Sequence, residues 1–261
     1  MFDYHMHTVV SFDGKCRGIE MARAAVAAGL KEICFTDHID YDPLEKMGVM
    51  AFDTERYNEE YDNLEMPGLK IRRGMEFGMM LDNREQFKRD LRRRPFDFVL
   101  GSIHFVDDLD VYYQEYWQDK TVFQAERRYL ETTLECVKLH DDFDVLAHLT
   151  YIAKTRFHKG RRPVPFEEHR ELIDEILRTL AAKGKGMEMN TSGVSRCGAF
   201  LPEAEYFRRF KELGGQIVTV GSDAHSADRV GEYSHRACEI LKDIFGYVCT
   251  FENRKPIFHK L

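Results

Sequence analysis

Along the chain, short apolar runs alternate with longer amphipathic stretches. The runs "FDYHMHT", "KEICFTDH", "LKIRRGMEF", "FDFVLGSIH", "FDVLAHL", "GKGMEMNTS" and "GQIVTVGSDAH" read as strands. From Ile19 to Ala28, Arg84 to Arg93, Val122 to His140, Phe166 to Lys183, Glu203 to Leu213 and Glu232 to Phe245, apolar positions recur every three or four residues, which gives a helix one buried face. Strand then helix, repeated along seven strand candidates, predicts a parallel α/β fold. No Pro-, Gly- or Ser-rich linker and no low-complexity tract divides the pattern, so residues 1–261 are expected to form one domain.

Periodicity does not separate an open doubly wound sheet from a closed barrel, but the polar residues do. The strand candidates end in His5 and His7, Asp37 and His38, Glu76, His104, His148, Asn190, and Asp223 and His225, which a buried strand would not use for packing. A barrel brings the carboxyl ends of its strands to one centre, whereas an open sheet spreads them across its width. The expectation is a distorted, TIM-like (β/α)7 barrel with its active face at those ends.

In "DYHMHTVVSFDG", His5 and His7 are two residues apart, so on an extended strand both imidazoles point the same way, as metal ligands do. One such pair is also compatible with two surface histidines, and a single strand-end histidine with a hydrogen-bonded structural residue. The whole set is harder to explain without ions. Left unpaired, each buried polar group would cost about 1–3 kcal/mol, and metal ions would give all of them partners.

Charge and cysteine usage narrow the setting. A net charge of −7 argues against a surface built to hold nucleic acid, while small anionic substrates remain possible through local clusters. Cys16, Cys34, Cys136, Cys197, Cys238 and Cys249 form no C-x-x-C pair, which fits thiols of a reducing cytoplasm better than a zinc ribbon or a disulfide scaffold. The N-terminus is not basic then apolar, and no apolar stretch approaches ~18 residues, so neither a secretory nor a membrane-spanning segment is expected.

In order, "HMH", "FTDHID", "RGMEF", "LGSIHF", "VLAHL" and "VGSDAHS" resemble the motifs of the PHP family, the polymerase and histidinol phosphatase metal-dependent phosphoesterases. The match runs from His5 to His225, and the family's distorted seven-stranded barrel agrees with the strand count. The resemblance implies a trinuclear centre of divalent ions. His5 and His7, with Glu76 and Asp223, would hold one ion; Glu76, His104 and His148 a second; Asp13, His38 and His225 a third. A glutamate suits a bridge because it offers two oxygens, whereas a neutral imidazole offers one ligand nitrogen. Many family members use histidine where this chain has Asp13, and a carboxylate there would weaken or retune the third ion.

Nitrogen and oxygen donors without thiolate suit zinc, iron or manganese and do not decide among them. Clustered ions lower the pKa of bound water and clamp the attacking and leaving oxygens of a phosphoryl transfer, so a metal-bridging hydroxide is the expected nucleophile. Glu76, Asp223 and His225 are then catalytic as well as ligating.

Phosphate also needs cations. The stretch "AKTRFHKGRRP" holds Lys154, Arg156, Lys159, Arg161 and Arg162 and no acid. Arg156 is expected to turn inward and Arg196, in "NTSGVSR", to join it, since a guanidinium fork grips two phosphate oxygens at once. The histidinol phosphatase branch looks similar at both places. By contrast "RDLRRRPF", with Arg89 and Arg92 to Arg94, sits at a helix end where cations meet the dipole favourably, and reads as structural. After His104, "FVDDLDVYYQEYWQDK" combines Asp107, Asp108 and Asp110 with Tyr112, Tyr113, Tyr116 and Trp117. Acid plus aromatic suits an organic cation, with Trp117 a candidate substrate contact; a lid packed by its own aromatics is the alternative.

The resemblance thus implies a cytoplasmic phosphomonoesterase of histidine biosynthesis, converting L-histidinol phosphate and water to L-histidinol and phosphate. Its partner would be a small-molecule phosphate ester, not nucleic acid or a membrane. Two other readings stay open: a phosphoesterase of the same family acting on nucleotides or protein phosphotyrosine, and a non-catalytic binding module stabilised by metals. Nine ligands shared among three ions leave open positions, as catalytic sites do and closed structural sites do not.

Overall fold

Because a strand of a parallel sheet is covered on both faces, it must be apolar on both, and Glu32–Phe35, Phe98–Ser102 and Val218–Gly221 are buried at every position. The computed structural model describes residues 1–44, 50–158 and 163–261. In it seven parallel strands, Phe2–Asp3, Glu32–Phe35, Lys70–Gly78, Phe98–Ser102, Val145–Leu146, Gly186–Asn190 and Val218–Gly221, pair in chain order. Backbone bonds from Tyr4 N to Val220 O (2.9 Å), Asp223 N to His5 O (2.8 Å) and His7 N to Ala224 O (2.8 Å) bring the last strand back to the first. The result is a nearly closed, distorted (β/α)7 barrel, as expected.

Amphipathic helices cover the outside. Val122–Leu139 turns Ala125, Tyr129, Leu130, Cys136 and Val137 inward, and Arg170–Ala182 buries Ile173, Ile176, Leu177 and Leu180 against it. Their starts are set by capping: Thr121 and Gln124 satisfy each other's backbone N–H groups in a capping box. The helix expected from Phe166 begins instead as a 3₁₀ turn over Glu167–His169. Among the described residues three helices were not expected, the short Gln114–Trp117 and Val194–Cys197 and the longer Thr54–Tyr61. The last is marginal by pattern. Its apolar face is only Tyr57 and Tyr61, and its start is fixed by Asp53 accepting from Glu55 N and Arg56 N.

The strand expected over "FDYHMHT" is regular only at Phe2–Asp3, with an isolated bridge from Met6 to Ala224 farther on. After the last helix, Ser234–Ile244, a hairpin of Tyr247–Glu252 and Lys255–Lys260 seals the amino-terminal end of the barrel. Its Cys249 and Phe251 pack with Tyr4, Cys34, Phe98, Leu100, Val145 and Ala147. Near this end Arg94 lies over the Tyr57 ring and pairs with Asp62, and Arg93 pairs with Asp90. All six cysteines are free, with Cys16 and Cys197 only half-buried. Among the described residues, no helix is long and apolar enough to cross a membrane.

Candidate metal centre

Glu76, near the carboxyl end of the strand Lys70–Gly78, is buried at the middle of the site. Its Oε2 lies 3.1 Å from His5 Nε2, 3.3 Å from His7 Nε2 and 3.1 Å from His38 Nδ1. Its Oε1 lies 2.8 Å from His148 Nε2 and 3.4 Å from His104 Nε2, and accepts from Ser102 Oγ at 2.6 Å. Asp223 Oδ1 is 3.5 Å from His7 Nε2 and 3.8 Å from His5 Nε2. Asp13 Oδ2 is 2.9 Å from His225 Nε2, and its Oδ1 is 3.8 Å from His38 Nε2. The barrel therefore brings together the nine side chains expected from the sequence, from both termini and every part between.

Several of these atoms have nothing else to bind. His5 Nε2, His7 Nε2, His38 Nδ1, Asp13 Oδ1 and Glu76 Oε2 are buried without a hydrogen-bond partner. Such atoms cost about 1–3 kcal/mol each when left unsatisfied, so the cluster is stable only if something supplies positive charge. The donors group as His5–Glu76–His148, His5–His7–Asp223, His7–His38–His225 and His38–Asp40–His104, the ligand atoms of each set lying within 4.8 Å of one another. Imidazole and carboxylate donors in such sets fit divalent metal ions.

Two carboxylates that sequence reasoning missed stand behind the imidazoles. Glu188 Oε1 is 2.7 Å from His5 Nδ1, and its Oε2 accepts from His148 N at 2.9 Å and Asn190 Nδ2 at 3.1 Å. Asp40 Oδ1 is 2.8 Å from His104 Nδ1. Such partners fix the ring orientation and leave the other nitrogen to face the centre. Their signal in the sequence is an acid inside a buried strand, in "GMEMN" and "HID". Room for them comes from glycines: a Cβ on Gly221 would collide with Glu188, and one on Gly78 with Asp40. Asp37, also at a strand end, accepts from Thr8 N (2.8 Å) and Ser11 Oγ (2.7 Å) and so shapes the loop that carries Asp13.

Electrostatics keeps the carboxylates ionised, and the same carboxylates, against burial, draw His5 and His104 well above the usual imidazole range, so that protons stand in this site for the positive charge a metal would bring. Burial alone would raise the Glu76 carboxyl, but the imidazoles of His5, His38 and His104 outweigh it and hold it well below the usual range. Asp223 is likewise held low, against burial, by Lys154 and His5. Burial lowers His148, keeping it neutral. His148 and Asp223 both adopt positive φ, 20° and 54°, the kind of backbone strain that persists where the surroundings over-determine it. Here Glu188 holds His148 N, and the His5 carbonyl holds Asp223 N.

Above the cluster opens a cleft of about 520 Å³. Its lining includes the cations Lys15, Lys154, Arg196 and Arg229, the acids Asp110 and Asp228, and the aromatics Phe12, Phe105, Tyr112, Tyr113 and Tyr151, with Lys154 Nζ 4.6 Å from the Tyr151 ring. Arg196 thus stands where the sequence placed it. Arg156 does not reach the cleft: it is exposed, its guanidinium 4.7 Å from the Phe157 ring. The 3₁₀ turn Tyr151–Lys154 instead directs Lys154 inward, with Nζ 2.6 Å from Asp223 Oδ2 and 3.3 Å from Ser192 Oγ. Lys159, Arg161 and Arg162 lie outside the described residues. The aromatic loop divides similarly. Tyr112 and Tyr113 line the cleft, whereas Tyr116 Oη donates to Ala125 O and half-buried Trp117 donates to Val111 O at 2.9 Å, so Trp117 packs the loop and leaves the cleft wall to its neighbours. Asp107 turns away to Arg128. Asp110 stays, and burial pushes its carboxyl up to about 6.

A parallel barrel that converges imidazoles and carboxylates on one buried centre beneath an open cleft defines a metal-dependent hydrolase. Residues 3–192 match the PHP domain, and the chain belongs to that family. It is 33% identical to a histidinol-phosphatase of Lactococcus lactis subsp. lactis over 265 residues, covering 97% of this chain and 95% of the relative. It is 32% identical over 265 residues to a chain of Clostridium acetobutylicum named a probable histidinol-phosphatase, covering 99% and 96%. Among solved structures it resembles a histidinol phosphate phosphatase of Lactococcus lactis complexed with zinc, L-histidinol and phosphate. That superposition has a TM-score of 0.88 at 31% identity and covers 98% of each chain.

Proposed function

We propose that this chain, working as one domain over residues 1–261 in the cytoplasm, hydrolyses L-histidinol phosphate to L-histidinol and phosphate. The observation that carries the reading is the cleft itself, which gathers cationic side chains, and acidic and aromatic ones, above a cluster of unpartnered polar atoms. A phosphate fits the first and an imidazole with an ammonium group the second. The Lactococcus structure, which holds zinc, L-histidinol and phosphate at high overall similarity, supports the same assignment.

Bound divalent ions, three by the ligand count and drawn from zinc, iron or manganese, would supply a water activated at neutral pH and positive charge for the phosphoryl oxygens. The protein's own share is positioning. Glu76, Asp223 and His225, with His5, His7, Asp13, His38, His104 and His148, hold the cations. Lys154 takes the role expected of Arg156 and, with Arg196, receives the non-bridging oxygens. Asp110 accepts the ammonium group, and Tyr112 and Tyr113 offer ring faces to the organic part.

The test is kcat/KM for histidinol phosphate, p-nitrophenyl phosphate, AMP and phosphotyrosine, side by side at fixed metal concentration. A preference of about 10⁴-fold for histidinol phosphate is expected, because a wrong ester leaves the site's polar groups unpaired. Equal turnover of AMP or phosphotyrosine would replace the substrate and keep the phosphoesterase. No hydrolysis by metal-replete protein would leave a binding module.

A further inference from the structure

A second buried cluster lies away from the metal centre. Glu126, on the helix Val122–Leu139, is fully buried, and its two oxygens lie 2.7 Å from His158 Nε2 and 3.0 Å from His169 Nε2. Both histidines are buried as well. Both belong to the connection between the strand ending near His148 and the helix Arg170–Ala182, His169 immediately before that helix.

The cluster adjoins the turn that carries Lys154 and the loop that carries Asp110. His158 N bonds back to Thr155 O (3.2 Å) and Thr155 N to Ile152 O (3.3 Å), so consecutive tight turns connect the backbone of His158 to that of Lys154. From the loop, the Trp117 ring stands edge-on to His158 with centroids 5.9 Å apart. Phe123, at the start of the helix, stacks on His169 at 4.8 Å. Apolar packing alone could fill this space, but a carboxylate shared by two imidazoles fixes the direction of each ring, which apolar contacts do not. Direction matters for Lys154, a flexible chain whose Nζ has to meet the phosphate at a set distance from the ions.

We propose that Glu126 is a positioning residue that, through His158, holds Lys154 in place to receive the phosphate. The inference rests on Lys154 being a phosphate ligand, as read above.

The experiment measures the competitive inhibition constant of inorganic phosphate on metal-replete enzyme. Variants are Glu126→Leu, Glu126→Gln, His158→Gln and Lys154→Ala, with each of the first three also combined with Lys154→Ala. Ions per chain are counted throughout. Glu126→Leu should weaken phosphate about tenfold at unchanged metal content, with Glu126→Gln, which keeps one acceptor, falling between it and the parent. Combined with Lys154→Ala, none should add more than about twofold, because the effect passes through the lysine. His158→Gln serves where Glu126→Leu does not fold. Effects that multiply in the double variants, or a lower Tm with unchanged phosphate inhibition, would overturn the proposal and leave the cluster a structural staple. If Lys154→Ala alone leaves phosphate inhibition unchanged, the phosphate reading of Lys154 falls and this inference with it. If Lys154→Ala weakens phosphate and the Glu126 and His158 variants do not, only this inference falls.

Discussion

At the amino-terminal end of the barrel, Glu32 accepts from Tyr4 Oη at 2.6 Å and from Arg72 Nε at 3.0 Å, and Arg72 continues to Glu252 at 3.0 Å. Asp97 accepts from Asn253 N at 3.0 Å, and Asp144 accepts from Val99 N at 2.9 Å while pairing with Arg254. Each of these carboxylates has a donor from the protein. At the carboxyl-terminal end the polar groups are just as buried, but Glu76 Oε2, His5 Nε2 and His7 Nε2 crowd together with no hydrogen-bond partner. At the first end each carboxylate is matched by a cation or donor of the protein. At the second, carboxylates and imidazoles converge in an arrangement that a bound cation would satisfy, and this separates a network built for stability from one built for chemistry.

The largest effect that tests this contrast is loss of the bridge. Glu76→Ala should cost more than about 10³-fold in kcat/KM and remove more than one ion per chain, by metal analysis. Loss of no ion would mean that Glu76 bridges nothing. The matching substitution at the other end is Glu32→Ala, which leaves Arg72 buried and short of a partner. It should destabilise by about 3–5 kcal/mol in denaturant titration and leave kcat per folded molecule unchanged. A loss of kcat comparable with that of Glu76→Ala would mean that the two ends are not independent.

The two ends also differed in how far they could be read from sequence. The convergence of polar side chains such as His5, His7 and Asp223 was legible because polar residues at the ends of apolar strands break a pattern. The barrel was legible because strand and helix periods alternate so regularly. What escaped was whatever kept to its pattern or depended on the course of a loop. Glu188 and Asp40 sit inside strands, where one acid does not disturb the apolar period, and their role exists only once distant glycines leave them space. The choice between Lys154 and Arg156 depended on a single 3₁₀ turn, since both belong to one basic stretch with no period to rank them. The closing hairpin follows the last helix and resembles an ordinary alternating strand pair, so its place beneath the barrel was not visible.

That turn supplies the next test. Lys154→Ala and Arg196→Ala should each keep full metal content and lower kcat/KM by about 10²–10³-fold, the scale seen when one charge-stabilising donor is lost. Arg156→Ala should stay within about twofold of the parent, as surface substitutions do. An equal loss from Arg156→Ala would place that side chain in the cleft when substrate is bound and restore the role first expected of it.

The smallest effect concerns Asp110, which sits in the working cleft yet has an acceptor's problem like that of the metal ligands. Burial raises its carboxyl from 3.8 to about 6, against the bond from Tyr112 N (2.8 Å) and the charge of His104, and with the help of Asp40 and Asp42. A carboxyl raised on folding binds its proton more tightly folded than unfolded, so its contribution to stability is fully present below the unfolded value and is lost as pH rises through about 6. Above that, the fold carries a partly buried charge without its partner, and the ammonium group of the substrate is the partner it lacks. Asp110→Asn should therefore leave stability at pH 4 nearly unchanged and raise it at pH 8 by on the order of 1 kcal/mol. Activity should move the opposite way. In kcat/KM, which reports the free enzyme, the ratio of parent to variant should be near unity below pH 5 and climb to about tenfold above pH 7. Taking the ratio cancels the substrate's own phosphate and imidazole ionisations, which both enzymes meet alike. A ratio flat with pH would move recognition of the ammonium group to another residue of the cleft, whereas a variant less stable than the parent at pH 8 would mean that Asp110 already has a cationic partner in the free enzyme.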